Sequence, residues 1–270
     1  WEPDVTTLLH KELTGTIIGV YYDVYNNTSR SYPEYIYEGA MAHDLRKLGI
    51  TCRRQTVYEV WYKDKKVGEQ HLDMFLADEV IVELKVASEL TRLNKAQAMS
   101  YLKVTNKQVG LLFNFGGSQP QFKRLYFQER EPRSNQQAMH QAIASMPDGY
   151  LDPELTWEII GGLLEVHSTL GPGFIYRIYA NACFHELQLR GLDVKAEREF
   201  QVIYKGEAIG TIKFTHLRVE DKVMVFPVAV TDVNDIRLNN LKDWMHIESV
   251  PLGILANYYE ESLKPIVLRV

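Results

Sequence analysis

The sequence repeats itself, and this repeat constrains the fold more than any other feature of the chain. A shift of 142 positions aligns one half with the other, and after one inserted residue the shift becomes 143. A random alignment would not stay in register over half of the chain, so we predict two tandem copies of one unit of about 120 residues. The aligned identities include Ile17 with Ile159, Gly19 with Gly161, Tyr37 with Tyr179, Gly49 with Gly191, Tyr62 with Tyr204 and Asn114 with Asn257.

A polar segment separates the two copies and has no counterpart in either. Residues 129–149 read EREPRSNQQAMHQAIASMPDG, which is the Pro-containing, polar composition typical of a linker. A short helix is expected around residues 136–145. We therefore predict one domain over residues 1–128, a linker over 129–150 and a second domain over 151–270.

The composition is that of a globular protein with a self-sufficient core. Hydrophobic residues make up 46 % of the 270 residues and the net charge is −5, which excludes intrinsic disorder. No apolar stretch approaches the ~20 residues needed to span a bilayer, and the first residues lack the pattern of a signal peptide, so we expect a cytoplasmic protein. Cys52 and Cys183 have no metal-ligand partners at zinc-site spacing and are expected to be buried free thiols.

Hydrophobic periodicity gives the same order of elements in each copy. Two helices, at residues 16–27 and 34–48, precede three strands with period-2 alternation, and a further helix and an apolar strand follow. This order predicts an α/β fold in which helices cover a mixed sheet. The expected strands and later helix of the first copy cover residues 52–60, 69–75, 80–86, 93–104, 109–115 and 122–127.

The hairpin HLDMFLADEVIVELKV, residues 71–86, carries the chemistry. Alternation places Glu83 and Lys85 on one face of their strand, and a three-residue turn at positions 77–79 sets Asp73 opposite Glu83, with the Cβ atoms about 5 Å apart. Two carboxylates that close repel unless a cation lies between them, and oxygen ligands suit Mg²⁺ or Mn²⁺. Lys85 would then orient or deprotonate a metal-bound water. The alternative is a solvent-exposed pair formed by Glu83 and Lys85.

The flanking segments add a family resemblance. Asp73, nine residues and then Glu83-Leu84-Lys85 resembles the PD-(D/E)xK nuclease signature on a restriction-endonuclease-like fold. Ahead of it, residues 31–37 (SYPEYIY) are similar to the motif of the GxxExxY proteins, a branch of that superfamily, with Ser31 in place of the first Gly. Behind it, the pattern from Gln97 to Tyr101 and the run VGLLFNFGG at residues 109–117 are also similar to that family.

The resemblance implies a role for each matching residue. Glu34 would join Asp73 and Glu83 as ligands of the metal, and Lys85 would be the catalytic lysine. Gln97 and Tyr101 lie one helical turn apart on one face, and they would support the site or contact a phosphate.

The second copy lacks this constellation. Gln97 and Tyr101 become Asn240 and Trp244 there, and Pro227 stands where the first copy has Leu84. We therefore expect a degenerate, inactive second copy that forms an intramolecular pseudo-dimer with the first and scaffolds or gates a single active site. The positions of Glu34, Asp73, Glu83 and Lys85 hold Tyr176, Thr215 or His216, Phe226 and Val228.

The leading functional expectation is a Mg²⁺- or Mn²⁺-dependent nuclease, with DNA favoured over RNA as the substrate. One active site would nick, trim or cut single strands rather than sever a duplex in one event. The first half carries a net charge of +1 and the second −6, so nucleic acid would meet the first half, and a protein partner would supply specificity. The alternative is a non-catalytic nucleic-acid-binding or protein-interaction module that retains the fold. Hydrolysis of a small phosphoester ranks last, because the sequence has no glycine-rich phosphate loop.

Overall fold

The computed structural model describes residues 9–128 and 152–270. These residues form two compact units, one made of residues 9–59 and 69–128 and the other of residues 60–68 and 152–270. The predicted linker, with its short helix at 136–145, lies outside the described residues. None of the helices in the described part of the chain combines the length and the hydropathy needed to cross a membrane.

The first unit, taken from here on as residues 9–128 so that strands β1 and β2 are described whole, has the predicted order of elements around a five-stranded mixed sheet. Its strands are arranged β1-β2-β3-β4-β5, and β3 and β4 are parallel, whereas β2–β3 and β4–β5 are antiparallel. Helix α3 supplies the crossover that a parallel pair requires. The elements are α1 (Lys11–Asn27), α2 (Glu34–Lys47), β1 (Cys52–Tyr62), β2 (Lys65–Leu76), β3 (Val80–Lys85), α3 (Arg92–Thr105), β4 (Val109–Asn114) and β5 (Gln121–Tyr126).

The second unit repeats this plan. Its sheet has the order β10-β9-β8-β7-β6, with the parallel pair again between the third and fourth strands in chain order. The predicted α/β class with two tandem copies is therefore confirmed. The elements are α4 (Pro153–Leu170), α5 (Tyr176–Leu189), β6 (Val194–Tyr204), β7 (Glu207–Val219), β8 (Val223–Val228), a short 3₁₀ helix (Val233–Asp235), α6 (Leu238–Ile247), β9 (Leu252–Asn257) and β10 (Ile266–Arg269).

The strand registers determine which residues of the two units correspond. In the first hairpin residue 74 pairs with 82, and in the second residue 217 pairs with 225. The parallel pairs agree, because 83 pairs with 112 and 226 with 255. His216, rather than Thr215, therefore corresponds to Asp73. The other equivalent pairs are Glu83 with Phe226, Leu84 with Pro227 and Lys85 with Val228.

Buried tyrosines make the same contacts in both units. Tyr37 accepts a hydrogen bond from the N–H of Tyr32 (3.1 Å), and its ring stacks on Phe115 with 4.3 Å between centroids. Tyr179 accepts one from the N–H of Phe174 (3.1 Å) and stacks on Tyr258 at 4.4 Å. The repeat seen in the sequence is therefore a repeat of packing as well.

Three details differ from expectation. Helix α1 begins at Lys11, five residues before the expected start, because its first turn is polar and lies outside the apolar periodicity. Strands β1 and β2 extend to a two-residue turn, in which Lys63 adopts a left-handed conformation (φ 52°). Both cysteines are free, but only Cys183 is buried; Cys52 is half-buried because it begins the outermost strand β1.

Candidate active site

Three elements of the first unit bring the predicted residues together. Strand β2 carries Asp73, β3 carries Glu83 and Lys85, and Glu34 is the first residue of α2. Alternation in β3 turns Val80, Val82 and Leu84 into the core packed against α1 and α2, and so turns Glu83 and Lys85 to the opposite face. That face is covered rather than exposed: Glu83 is only 3 % exposed, and the other three are half-buried. The alternative of a solvent-exposed Glu83–Lys85 pair is therefore wrong.

Backbone N–H groups hold two of the carboxylates. The N–H of Leu84 donates to Oδ2 of Asp73 (2.8 Å), and the N–H of Val86 donates to Oε1 of Glu34 (3.2 Å). The backbone pairing of β2 with β3 ends at residues 74 and 82, so Asp73 meets its neighbouring strand through its side chain. Both carboxylates are thereby fixed beside the last residues of β3.

Glu83 and Lys85 form an ion pair at the centre of the site. The Nζ atom of Lys85 donates to Oε1 of Glu83 at 2.7 Å. Burial, followed by repulsion from Asp73, raises the pKa of Glu83 to about 8, although Lys85 acts in the opposite direction. Burial alone would lower the pKa of Lys85, but the carboxylates of Glu83, Glu34 and Asp73 outweigh it and raise that pKa. Lys85 is therefore a protonated ammonium at neutral pH.

Asp73 experiences the same crowding of negative charge. Burial raises its pKa most strongly, the hydrogen bond from Leu84 and the charge of Lys85 oppose this, and Glu34 and Glu38 raise it further. Three carboxyl groups, those of Glu34, Asp73 and Glu83, thus act on one another electrostatically in a largely buried cluster. Such an arrangement favours a bound cation.

The donor atoms suit a hard divalent cation. Oε2 of Glu83 is buried and has no hydrogen-bond partner, which is costly for a carboxylate oxygen unless a ligand contacts it. All three acidic side chains offer oxygen, the ligand that Mg²⁺ and Mn²⁺ prefer. Within residues 9–128 and 152–270, however, no three His, Cys, Asp or Glu side chains stand in a preformed metal-binding arrangement.

Gln97 and Tyr101 form a hydrogen-bonded group with strand β2. Nε2 of Gln97 donates to the hydroxyl of Tyr101 (2.6 Å), and Nε2 of Gln70 donates to the same oxygen (3.1 Å). The Tyr101 side chain is buried, so it links α3 to β2. This geometry fits support of the site better than contact with a phosphate.

Sequence reasoning missed a second acidic residue on α2. Glu38 lies one turn after Glu34 and is buried, and it accepts hydrogen bonds from Nε of Arg54 (2.7 Å) and Nε2 of Gln55 (2.8 Å). The sequence did indicate that Glu38 lies near Glu34, because residues four positions apart share one face of a helix. The hydrogen bonds between Glu38 and β1 could not be predicted from the sequence, because Gln55 adopts a left-handed conformation (φ 47°) inside a strand.

Asn114 is the other residue that sequence reasoning did not assign. Its side chain accepts from the N–H of Ala87 (3.0 Å) and donates to the carbonyl of Ala87 (2.9 Å), which fixes the chain just beyond Lys85. In the second unit, the side chain of Asn257 likewise accepts a hydrogen bond from the N–H of Val230 and donates one to its carbonyl. The alignment of the two asparagines in the repeat was a signal of this role.

A comparison with protein families matches both halves of the chain. The model of the PD-(D/E)XK nuclease superfamily matches residues 11–125 and again residues 153–270. The chain belongs to the PD-(D/E)XK nuclease superfamily. No curated protein and no solved structure matches it. Nucleases of the PD-(D/E)XK superfamily generally use divalent metal ions, in keeping with the oxygen donors around Glu83.

The two PD-(D/E)XK segments differ at the positions of the site. Where the first has Asp73, the second has a buried His216, which contacts Glu197 (2.8 Å) and receives a long hydrogen bond from Nε1 of Trp244 (3.4 Å). Phe226 lies against the His216 ring, with 5.8 Å between centroids. Aromatic packing therefore fills the region that carries carboxylates in the first segment.

Proposed function

We propose that the first unit is a metal-dependent nuclease of the GxxExxY branch, which hydrolyses phosphodiester bonds of nucleic acid, with DNA favoured over RNA. The observation that carries the proposal is the convergence of Glu34, Asp73, Glu83 and Lys85, with one buried oxygen of Glu83 lacking a partner. The domains would span residues 1–128 and 151–270, joined by a linker at 129–150.

Glu34, Asp73 and Glu83 would hold the metal, Mg²⁺ or Mn²⁺. When bound, that ion supplies an activated water and neutralises charge on the phosphate. Glu83 would then exchange its contact with Lys85 for the metal. Lys85 would orient the attacking water or donate hydrogen bonds to the phosphate.

The second unit would be a degenerate, inactive copy. The support for this is the replacement of the acidic side chains by packed rings, with Tyr176 stacking on Phe214 and Phe226 lying against His216, and of Lys85 by Val228. Its retained helices and sheet suit a scaffolding or gating role in an intramolecular pseudo-dimer. A protein partner would then add substrate specificity.

A non-catalytic module that binds nucleic acid or protein is the second candidate. Two observations favour it: the described residues contain no preformed metal-binding group, and Ser31 stands where the family motif has Gly. Under this alternative the Glu83–Lys85 ion pair would be a permanent structural element.

Metal-dependent cleavage separates the two candidates. Labelled single-stranded and duplex DNA and RNA are incubated with the protein and Mg²⁺ or Mn²⁺, beside Asp73→Ala and Lys85→Ala. The matched controls are Asp78→Ala and Lys123→Ala, which alter exposed residues of the same charge. Loss of cleavage in the first pair alone supports the nuclease. Cleavage that is absent, or equal in all proteins, supports the non-catalytic module.

A further inference from the structure

Large aromatic side chains are exposed on both sides of Glu34. Tyr32, two positions before it, is 43 % exposed, and Tyr35, directly after it, is 62 % exposed. Ile36 is also partly exposed, so three large apolar residues lie within one five-residue stretch. Several large apolar side chains exposed within one short segment beside a polar site mark a binding surface more often than a single exposed residue does.

The backbone that carries these rings is anchored. The N–H of Tyr32 is bonded to the hydroxyl of Tyr37, whose ring is stacked in the core. The carbonyl of Tyr35 accepts a hydrogen bond from Nη2 of Arg54 (3.2 Å), which also holds Glu38. Because the backbone is fixed before a ligand arrives, stacking on these rings costs little ordering entropy.

The second unit has the same backbone arrangement without the exposed rings. Phe174 occupies the position of Tyr32 and makes the equivalent bond to Tyr179, but its side chain is only 4 % exposed. The position of Tyr35 holds Arg177. The unit with the acidic site therefore exposes two aromatic rings at positions 32 and 35, and the unit without the acidic site exposes none at the equivalent positions.

We propose that Tyr32 and Tyr35 are a stacking platform for two bases of a single-stranded nucleic acid whose backbone passes Glu34. This inference rests on the proposed function and specifies its substrate. Neighbouring Cα atoms lie about 3.8 Å apart, so the residue that carries the Tyr35 ring is next to the residue that carries the Glu34 carboxylate. Every base offers a π-face to an aromatic side chain, whereas in a duplex these faces are covered by adjacent base pairs.

The charge of the first half supports a single strand bound by stacking. With a net charge of only +1 it offers little of the electrostatic attraction that dominates binding to duplex DNA. Arg30, on the same loop as Tyr32, donates to the carbonyl of Ser118 (3.2 Å) and provides one exposed positive charge for a phosphate. Binding through this surface should therefore depend only weakly on salt.

Binding of a labelled oligonucleotide tests the platform. Fluorescence anisotropy is measured with a fluorescein-labelled oligothymidylate of about 20 nucleotides and with the same strand in a duplex, in Mg²⁺. All proteins carry Lys85→Ala, so that the probe is not consumed. Tyr32→Ala and Tyr35→Ala are expected to weaken single-strand binding about 5- to 100-fold each, while Tyr35→Phe stays within about twofold. The control Tyr126→Ala, at an exposed tyrosine of β5, leaves the affinity unchanged.

The platform is overturned if both alanine variants bind the single strand as the control does, or if they weaken duplex binding equally. A second readout does not depend on affinity: a probe carrying 5-iodouracil should photocrosslink to Tyr32 or Tyr35, and crosslinks only at other residues would contradict the proposal. Failure of the nuclease is a separate result. If the wild-type protein cleaves nothing but the alanine variants lose binding, the stacking platform is still supported and only the nuclease is contradicted. If the wild-type protein cleaves but the alanine variants bind as the control does, only the stacking platform is contradicted.

Discussion

The ammonium of Lys85 lies 2.7 Å from one carboxylate oxygen of Glu83, while the other oxygen of Glu83 is buried without a partner. When Glu83 is ionised, Lys85 thus partly neutralises a carboxylate that would otherwise be isolated in the protein interior. A divalent ion held by Glu34, Asp73 and Glu83 would do this more completely. The ion pair and the metal complex are therefore alternative ways to satisfy the same buried group.

The first prediction concerns pH and stability without metal. The pKa of Glu83 is raised from 4.5 to about 8, so between these values the folded state binds a proton that the unfolded state has lost. The contribution of this group to stability is therefore present at low pH and is lost as pH rises through that window. In EDTA, Glu83→Gln should become more stable relative to wild type, by several degrees in Tm, as pH rises from 5 to 8. Parallel Tm curves, as expected for the exposed control Glu89→Gln, would contradict this.

The second prediction concerns metal binding. A ligand present at a hundredfold excess over its Kd stabilises a protein by about 2.7 kcal/mol, which is about 8–15 °C in Tm for a unit of about 120 residues. Mn²⁺ or Mg²⁺ should raise the Tm of wild type by such an amount and should not raise that of Asp73→Asn. The control Asp78→Asn, in the adjacent turn, should respond as wild type does. An equal response in all three proteins would place the metal elsewhere.

The third prediction separates the two roles of Lys85. Lys85→Met removes the cation that occupies Glu83, so the apparent affinity for Mn²⁺ should rise. The same change removes a hydrogen-bond donor from the reacting phosphate or water, so the cleavage rate should fall about 10²–10³-fold. Calorimetric titration and single-turnover kinetics measure the two effects. Weaker metal binding together with unchanged cleavage would reverse both assignments.

The fourth prediction tests the inactivity of the second unit. Phe226→Ala removes a buried ring from the aromatic cluster and should cost about 3–5 kcal/mol of stability, seen as a lower Tm. Cleavage per folded molecule, measured well below that Tm, should stay within about threefold of wild type. Abolition of cleavage by Phe226→Ala in a protein that circular dichroism shows to be folded would contradict the assignment of cleavage to the first unit alone.

The repeat and strand alternation were enough to predict the fold and to place Asp73, Glu83 and Lys85 near one another, whereas Glu34 came only from the family resemblance. Period-2 alternation fixes the face of Glu83 and Lys85, and the turn at 77–79 fixes the register that brings Asp73 beside them. The sequence did not reveal that Lys85 pairs with Glu83 or that Glu38 is held by β1. Those contacts depend on side-chain rotamers and on the left-handed backbone of Gln55, which no local pattern encodes.

The second copy was predictable in outline only. Loss of its charged residues was visible, but the exact counterpart of Asp73 depended on where one inserted residue falls. The hairpin register assigns it to His216. The cluster that surrounds His216 joins residues distant in sequence, including Phe200 and Trp244, and such contacts follow only from the folded chain.

The central claim is that one metal-dependent active site surrounds Asp73, and the most direct test is the single-turnover rate of oligonucleotide cleavage by Asp73→Asn in Mg²⁺. This substitution keeps an oxygen that can accept from the N–H of Leu84, so it removes charge with little change of shape. We predict a rate at least about 100-fold below that of wild type, at equal concentrations of folded protein. A rate within about threefold of wild type would contradict the assignment of the active site.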